Sequence, residues 1–96
     1  MYIVKLLLEA ELELTEACEW YDKRKPGLGR IFLEEFDNCV ELISSNPLQF
    51  PVNFSERYRF AILKKFPYSI VYRIDDEGDC IIINSVFHQH RNPFKF

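Results

Sequence analysis

The sequence predicts an α+β fold with the order β-α-α-β-β-β, in which a helical hairpin packs on one face of an antiparallel sheet. Three observations lead to this prediction: an aliphatic opening stretch, two helical apolar periodicities, and three strand-like segments joined by short turns. A chain of 96 residues is expected to form a single domain, residues 1–96, with one core between two packed layers.

The first strand and the first helix are predicted from a change of period near residue 9. Residues 2–8 (YIVKLLL) are aliphatic and partly β-branched, which is typical of a strand. From Ala10 the apolar residues recur three or four positions apart, as on one face of a helix: Ala10, Leu14, Ala17, Cys18 and Tyr21. The glutamates on the outer face indicate a solvent-exposed surface, or alternatively a docking surface for a basic partner.

The second helix is predicted to begin at Leu28 and to end before residues 44–47 (SSNP). Residues 23–27 (KRKPG) interrupt the helical pattern, because proline disfavours the helical conformation of the preceding residue. The expected apolar face consists of Leu28, Phe32, Phe36, Cys39, Val40 and Ile43. Since the connection is short, we expect the two helices to lie antiparallel.

Three further strands are predicted in the second half of the chain. Residues 57–65, 68–74 and 80–87 have strand patterns, and residues 66–67 (FP) and 75–79 (DDEGD) supply the turns. Strands joined by tight turns form an antiparallel meander, which the first strand would join. We expect the sheet face without helices to be partly open, and function is predicted there.

Composition and charge narrow the class of protein. The net charge is −3, with five basic and ten acidic side chains in residues 1–50 against seven and five in residues 51–96. Any contact with nucleic acid would therefore involve the second half of the chain, and its charge alone would support only weak binding. No apolar run could span a membrane and the N-terminus does not resemble a signal peptide, so a cytoplasmic protein without membrane contact is expected. Three cysteines without a C-x-x-C pair favour free thiols.

A metal site is not predicted, and neither is a cofactor. His88 and His90 are the obvious metal candidates, but we expect their side chains to point to opposite faces, and no thiol or carboxylate lies nearby in sequence to complete a zinc site. The chain has no Walker loop, G-x-G-x-x-G, G-x-S-x-G or H-E-x-x-H motif.

Acid/base chemistry is the more plausible catalytic alternative. An unperturbed histidine has a pKa of about 6.5, which makes His88 a candidate acid or base, and Arg91 could stabilise negative charge on a phosphate. Several other cations lie on neighbouring predicted strands: Arg57, Arg59, Lys65 and Arg73. Exposed strands often carry such cations to prevent sheet-to-sheet pairing, so solvated or partner-facing cations are the competing interpretation.

An ordered set of short motifs covers nearly the whole chain. It comprises Trp20-Tyr21, Gly27-Leu28-Gly29, Phe32-Leu33, Asn46-Pro47, Arg59, Phe66-Pro67-Tyr68, Tyr72-Arg73 and residues 88–93 (HQHRNP). In this set the chain resembles the RelE/ParE superfamily, the toxins of bacterial type II toxin–antitoxin modules. The resemblance implies the fold predicted above and a small cytoplasmic toxin that a cognate antitoxin neutralises. RelE-like members cleave messenger RNA on the ribosome, whereas ParE-like members inhibit DNA gyrase.

The residues that RelE-like nucleases use are mostly replaced in this chain. Ser69 stands where such nucleases have a catalytic arginine, and Phe60 and Ile62 stand where they have lysines. Arg91 is retained, but the C-terminal aromatic residue is Phe94 or Phe96, which has no hydroxyl group. These differences favour the ParE-like branch, and an enzyme is not the preferred interpretation.

In the ParE-like interpretation Arg59, Tyr68, Tyr72, His88 and Arg91 are expected to be largely structural, packing the strands and anchoring the tail. The candidates for binding a target or partner are Arg57, Arg59, Tyr68, Tyr72, Arg73, His88, Arg91 and Phe94. Two alternatives stay open. One is an endoribonuclease with His88 or His90 as general base and Arg59, Arg73 or Arg91 on the scissile phosphate. The other is a non-toxic protein that keeps only antitoxin binding. The sequence does not determine the oligomeric state.

Overall fold

The computed structural model describes residues 2–52, 57–75 and 77–90. Within these ranges the elements follow the predicted β-α-α-β-β-β order, and the α+β class is confirmed. They are β1 (Ile3–Leu6), α1 (Leu8–Arg24), α2 (Leu28–Ser45), β2 (Arg59–Ile62), β3 (Tyr68–Ile74) and β4 (Cys80–His88). In this part of the chain, no helix combines the length and apolar character that a membrane crossing requires.

The four strands form one sheet in the order β1-β4-β3-β2. Strands β2, β3 and β4 make the predicted antiparallel meander. Strand β1 lies beside β4 and runs parallel to it, so the sheet is mixed and the prediction of an antiparallel sheet holds only for the meander. Parallel neighbours need a long crossover connection. Here the connection from β1 to β4 contains α1, α2, β2 and β3 in sequence.

Leu7 marks the passage from β1 to α1. Its N–H donates to the carbonyl oxygen of Ile83 (3.0 Å), and its own carbonyl accepts the N–H of Glu11 (3.1 Å). Leu7 therefore belongs to the sheet through its amide and to the helix through its carbonyl. As a result the strand ends and the helix begins two residues earlier than the sequence pattern indicates.

Strand β2 is shorter than the predicted range 57–65. Leu63 donates its N–H to the carbonyl oxygen of Tyr68 (2.9 Å), which closes the hairpin between β2 and β3. Residues 63–67 therefore form the turn, and the alternation that continues to residue 65 in the sequence has no strand partner there.

The main core lies between the helical hairpin and the sheet. The predicted face of α2 supplies its centre, with Phe32, Phe36, Cys39 and Ile43 buried. At one end, the ring of Phe32 stacks on Tyr21 at 5.4 Å between centroids and meets Phe66 edge-on at 4.9 Å. Burying each such side chain contributes roughly 1.5–3 kcal/mol, so this core is the principal source of stability.

Gly29 allows the two helices to approach closely at the start of α2. Its N–H donates to Oδ1 of Asp22 (2.8 Å). A Cβ atom at this position would lie 2.4 Å from the carbonyl oxygen of Cys18. The preceding Gly27 has a φ of 91°, a left-handed conformation that glycine adopts without steric cost. The two glycines thus make the tight helix-to-helix turn that the sequence predicts.

Candidate functional site

Arg59 and Tyr72 lie opposite each other on β2 and β3, on the side of the sheet that faces the helices. Arg59 Nη1 donates to the carbonyl oxygen of Phe50 (2.6 Å) and more weakly to that of Leu48 (3.4 Å). The Tyr72 hydroxyl donates to the carbonyl oxygen of Pro47 (2.5 Å). Burial raises the pKa of Tyr72 to about 12, against the lowering effect of Arg59. These two candidates therefore hold the segment that follows α2.

Tyr68 and His88 form a second pair at the other end of β3. Their rings meet edge-on at 4.9 Å between centroids. The Nδ1 atom of His88 accepts the N–H of His90 (3.1 Å), and the two imidazoles lie 5.5 Å apart. The expectation that the histidines point to opposite faces is wrong, because positions two apart at a strand end share a side. Among the described residues, no group of three or more potential ligands could hold a metal ion.

The Arg59–Tyr72 pair and the Tyr68–His88 pair are well separated. A strand rises about 3.3 Å per residue, so the four-residue step along β3 places them about 13 Å apart. Arg73 alternates with Tyr72 along the strand and is therefore directed to the opposite face. These described candidates do not converge on a common point that could hold a phosphate.

Of the remaining candidates, only Arg57 belongs to the described residues. It is exposed and precedes β2 by two positions. Arg91 and Phe94 lie outside the described residues, so their roles stay predictions from the sequence.

The sheet face turned away from the helices carries a second apolar cluster. It consists of Phe60, Val71 and Phe87, with the half-buried Tyr58 packed against them. The first three residues are at most 8% exposed, so the centre of this face is not open as the sequence analysis expects. Ser69 is buried as well. Two positions that the resemblance aligns with nuclease cations, Phe60 and Ser69, therefore lie on a largely apolar part of the sheet.

A groove of about 340 Å³ runs along α2 beside β2, and we call it the α2–β2 groove. Three of its apolar side chains are strongly exposed: Ile31 (46%), Leu42 (47%) and Ile62 (62%). Glutamates lie on the helix side and lysines on the strand side. Its lining also includes Glu34, Glu35, Cys39, Phe50, Leu63, Lys64 and Lys65.

Sequence reasoning missed this groove. The available signal is a second stripe on α2, at residues 31, 35, 38 and 42, which is offset from the main apolar face and mixes apolar with polar side chains. Such a stripe is easily taken for an ordinary exposed surface. The opposite wall of the groove is formed by residues 62–65 of the same chain, about 20 to 30 positions away in sequence. No local pattern therefore predicts the groove.

Cys39 lies at the floor of the α2–β2 groove and is buried. The pKa of its thiol is raised to about 11, first by burial and then by the Glu35 carboxylate, while Lys64 opposes the shift. At neutral pH the thiol is protonated and is a poor nucleophile. Cys18 and Cys80 are also free, which confirms the prediction of free thiols.

Comparison with solved structures shows which fold this is. The ParDE toxin–antitoxin system of P. aeruginosa contains a chain that superposes with a TM-score of 0.77 at 20% identity, covering 92% of this chain and 96% of the other. The E. coli RelBE toxin–antitoxin complex gives 0.70 at 19% identity, covering 95% and 100%. The isolated E. coli RelE toxin gives 0.70 at 19% identity, covering 97% and 89%. A comparison with curated proteins finds no match.

The fold is therefore that of the RelE/ParE toxins. The sequence profile described as "ParE toxin of type II toxin-antitoxin system, parDE" matches residues 4–93. Because this match spans nearly the whole chain, the chain belongs to the ParE toxin family, and the resemblance seen in the sequence is confirmed.

Proposed function

We propose that this chain is the toxin of a cytoplasmic type II toxin–antitoxin module and acts by occupying a macromolecular target, DNA gyrase. A cognate antitoxin neutralises it by binding. The proposal carries over the mode of action implied by the ParE-like resemblance, and it does not require a catalytic pocket.

The observation that carries this proposal is the apolar cluster on the sheet face away from the helices. Cleavage of RNA requires groups that stabilise the charge developing on the scissile phosphate. Phe60 and Ser69 occupy positions that the resemblance aligns with such groups, and both are buried. Arg59, the nearest cation on β2, is instead bonded to backbone carbonyls. Binding without cleavage fits these contacts better.

Two further observations support an antitoxin partner. The matching family profile is one of toxins from two-component modules. The solved ParDE system and RelBE complex, which share this fold, each pair a toxin with an antitoxin.

A gyrase supercoiling assay tests the proposal. Purified chain is titrated into a reaction containing gyrase, relaxed plasmid and ATP. We expect a concentration-dependent loss of supercoiling, which a cognate antitoxin should reverse. Unchanged supercoiling at saturating chain would contradict the proposed target.

A parallel experiment separates binding from RNA cleavage. The 5′ ends of messenger RNA are mapped in cells that express the chain and in cells that express His88→Ala. Binding without cleavage predicts growth arrest with no new 5′ ends. New ends that vanish in the His88→Ala cells would favour the endoribonuclease alternative.

A further inference from the structure

We propose that Glu13 holds α1 on the end of β4 that extends past β1, and that this contact prevents a second copy of this chain from pairing with the strand there. We call residues 84–88 the β4 end. The inference concerns the fold alone and does not depend on the proposed function.

Strand β4 is longer than its neighbour β1. The register places Leu6, the last residue of β1, opposite Ile83, and Leu7 donates one more backbone hydrogen bond to the carbonyl oxygen of Ile83. Strand β4 continues to His88, so the β4 end lies beyond the reach of β1. A strand edge that no neighbouring strand covers presents backbone N–H and C=O groups with which another chain can pair.

A β-bulge directs the amide of Val86 towards this edge. Ile83 and Ser85 lie opposite adjacent residues of β3, so β4 has one additional residue between them. Gln89 donates its N–H towards β3, to the carbonyl oxygen of Pro67. Because amides alternate sides along a strand, the N–H of Val86 points away from β3. Without the bulge, Val86 and Ile83 would direct their backbone groups to opposite sides.

Glu13 accepts the backbone amide that a neighbouring strand would otherwise bind. Its Oε1 atom accepts the N–H of Val86 (3.0 Å) and the hydroxyl of Ser85 (2.7 Å). Ser85 is 0% exposed and Val86 is 2% exposed. Hydrogen bonds to a carboxylate are stronger than neutral ones, and a buried donor that loses its partner is costly. The carboxylate therefore takes the place of a strand carbonyl at this edge.

Apolar packing of α1 near this contact is limited. Ala10, Glu13 and Ala17 lie on one face of the helix, and the two alanines are the buried residues of α1. A buried alanine contributes less apolar area than a leucine or a phenylalanine. A cavity of about 280 Å³, lined in part by Glu13, Ala17 and Val86, lies beside the contact. The hold of α1 on the β4 end therefore depends strongly on the carboxylate.

The β4 end has no charged side chain that would oppose pairing with another chain. Residues 84–88 (NSVFH) contain no lysine, arginine or acidic residue, whereas edge strands are commonly protected by such charges. Strand β1, the outer strand on this side of the sheet, carries the exposed Lys5. The protection of the β4 end comes instead from Glu13 on α1.

The β4 end is complementary to a second copy of itself. Two such segments can run antiparallel about a two-fold axis at Val86, so that each Val86 donates its N–H to the carbonyl oxygen of the other. The donor that this pairing requires is the N–H that Glu13 accepts. Because Val86 is buried, α1 must first move away from the edge, and the Glu13 contact opposes that movement.

Amide hydrogen exchange followed by NMR tests the hold of α1 on the β4 end. We expect Glu13→Ala to accelerate exchange at Val86 about tenfold or more, because a charge-assisted bond is lost. Glu16→Ala is the matched control, since it removes the same charge from an exposed position of the same helix, and it should change the rate by less than about twofold. Ile70, which pairs with Ala61 inside the sheet, should be accelerated much less than Val86 in Glu13→Ala.

Sedimentation velocity over a range of protein concentrations measures pairing between copies. We expect Glu13→Ala to self-associate at concentrations about tenfold lower than the wild type. Glu13→Gln keeps an oxygen that can accept both hydrogen bonds, so it should remain close to the wild type. Glu16→Ala should also behave like the wild type.

The outcomes decide between protection of the edge and ordinary stabilisation. Equal acceleration at Val86 and Ile70 with unchanged self-association would show that Glu13 only stabilises the fold, and the inference would be wrong. It would also be wrong if Glu16→Ala self-associated as strongly as Glu13→Ala, because loss of charge would then be the cause.

A milder variant applies if Glu13→Ala does not fold. Ser85→Ala removes one of the two donors to Glu13, and it should accelerate exchange at Val86 about threefold or more and increase self-association. Unchanged exchange and association in Ser85→Ala would overturn the inference. None of these measurements involves gyrase or an antitoxin, so their failure leaves the proposed function standing.

Discussion

The Nη1 atom of Arg59 lies 2.6 Å from the carbonyl oxygen of Phe50, to which it donates a hydrogen bond. Directly opposite in the sheet, Tyr72 donates its hydroxyl to the carbonyl oxygen of Pro47. Together these bonds join the sheet to the segment that leaves α2, which in turn supplies Phe50 to the α2–β2 groove. Two residues that the sequence offers as target-binding candidates therefore have a structural role.

Replacing Arg59 with methionine should lower the free energy of unfolding by about 2 kcal/mol, because a charged donor to a backbone carbonyl is lost. Urea unfolding followed by circular dichroism measures the change. Arg30→Met is the matched control, since Arg30 pairs with Glu34 on the surface and its side chain is 84% exposed. That variant should change stability by less than about 0.5 kcal/mol. Equal stability of both variants would refute the structural role of Arg59.

Tyr72→Phe should destabilise the fold by about 1–3 kcal/mol, because the carbonyl oxygen of Pro47 is left buried without its donor. The same urea experiment applies. Tyr21→Phe is the control, since Tyr21 packs against Phe32 through its ring and its hydroxyl has no hydrogen bond within the described part of the chain. Similar losses in both variants would show that the Tyr72 hydroxyl is not what matters.

Gly29→Ala should lower stability by about 2 kcal/mol or more, because the new methyl group would force the backbone of the two helices apart. The nearest atom is the carbonyl oxygen of Cys18, part of the backbone, which cannot rotate away. Gly27→Asn is the control: it has open space around its Cβ position, and asparagine tolerates the left-handed conformation. Thermal unfolding should show a clear drop in Tm for the first variant and a small one for the second. A larger drop for Gly27→Asn would contradict this account.

Ionisation of the Cys39 thiol should lower the free energy of unfolding at alkaline pH. Its pKa rises from 9.0 to about 11 on folding, so the neutral thiol is favoured in the folded state. The contribution is complete below pH 9 and is lost as the pH rises from 9 towards 11, because the unfolded thiol ionises first. The pKa of Cys18 is raised as well, so the difference between the wild type and Cys39→Ala isolates one thiol.

Urea unfolding between pH 8 and pH 10 measures this effect. Cys39→Ala should be less stable than the wild type at pH 8, because it leaves a small cavity, but its stability should decline less with pH. The range stops at pH 10 because the tyrosine hydroxyls have an ordinary pKa of 10.0. Above this pH their ionisation increasingly affects the measured stability. Parallel declines for the two proteins would show that Cys39 does not titrate as described.

The elements that depend on local pattern were predictable. Strand β3 has the predicted bounds, and β4 extends one residue beyond its predicted end. The apolar face of α2 also agrees, since a helical period of 3.6 residues determines which side chains share a face. These features depend on residues within one turn or one strand, and their spacing can be read directly.

The differences arise where long-range hydrogen bonds determine the result. The end of β1 depends on the bond from Leu7 to Ile83, and the end of β2 depends on the bond from Leu63 to Tyr68. The parallel direction of β1 depends on a crossover through most of the chain. No local spacing encodes these contacts, so the pattern extended both strands too far and did not predict the parallel direction of β1.

The residue pattern alone predicted the α+β class, the order of elements and the free thiols, and it showed the resemblance to RelE/ParE toxins. It also showed that Phe60 and Ser69 carry no charge, because side-chain chemistry is a property of the chain itself. Packing of the helices on the sheet decided that Arg59 is bonded to backbone carbonyls, and that Ile31, Leu42 and Ile62 line one groove. Arg59 and Phe50 are nine positions apart, and Ile62 lies on a different element from Ile31 and Leu42, so no local pattern predicts these arrangements and only the folded backbone produces them.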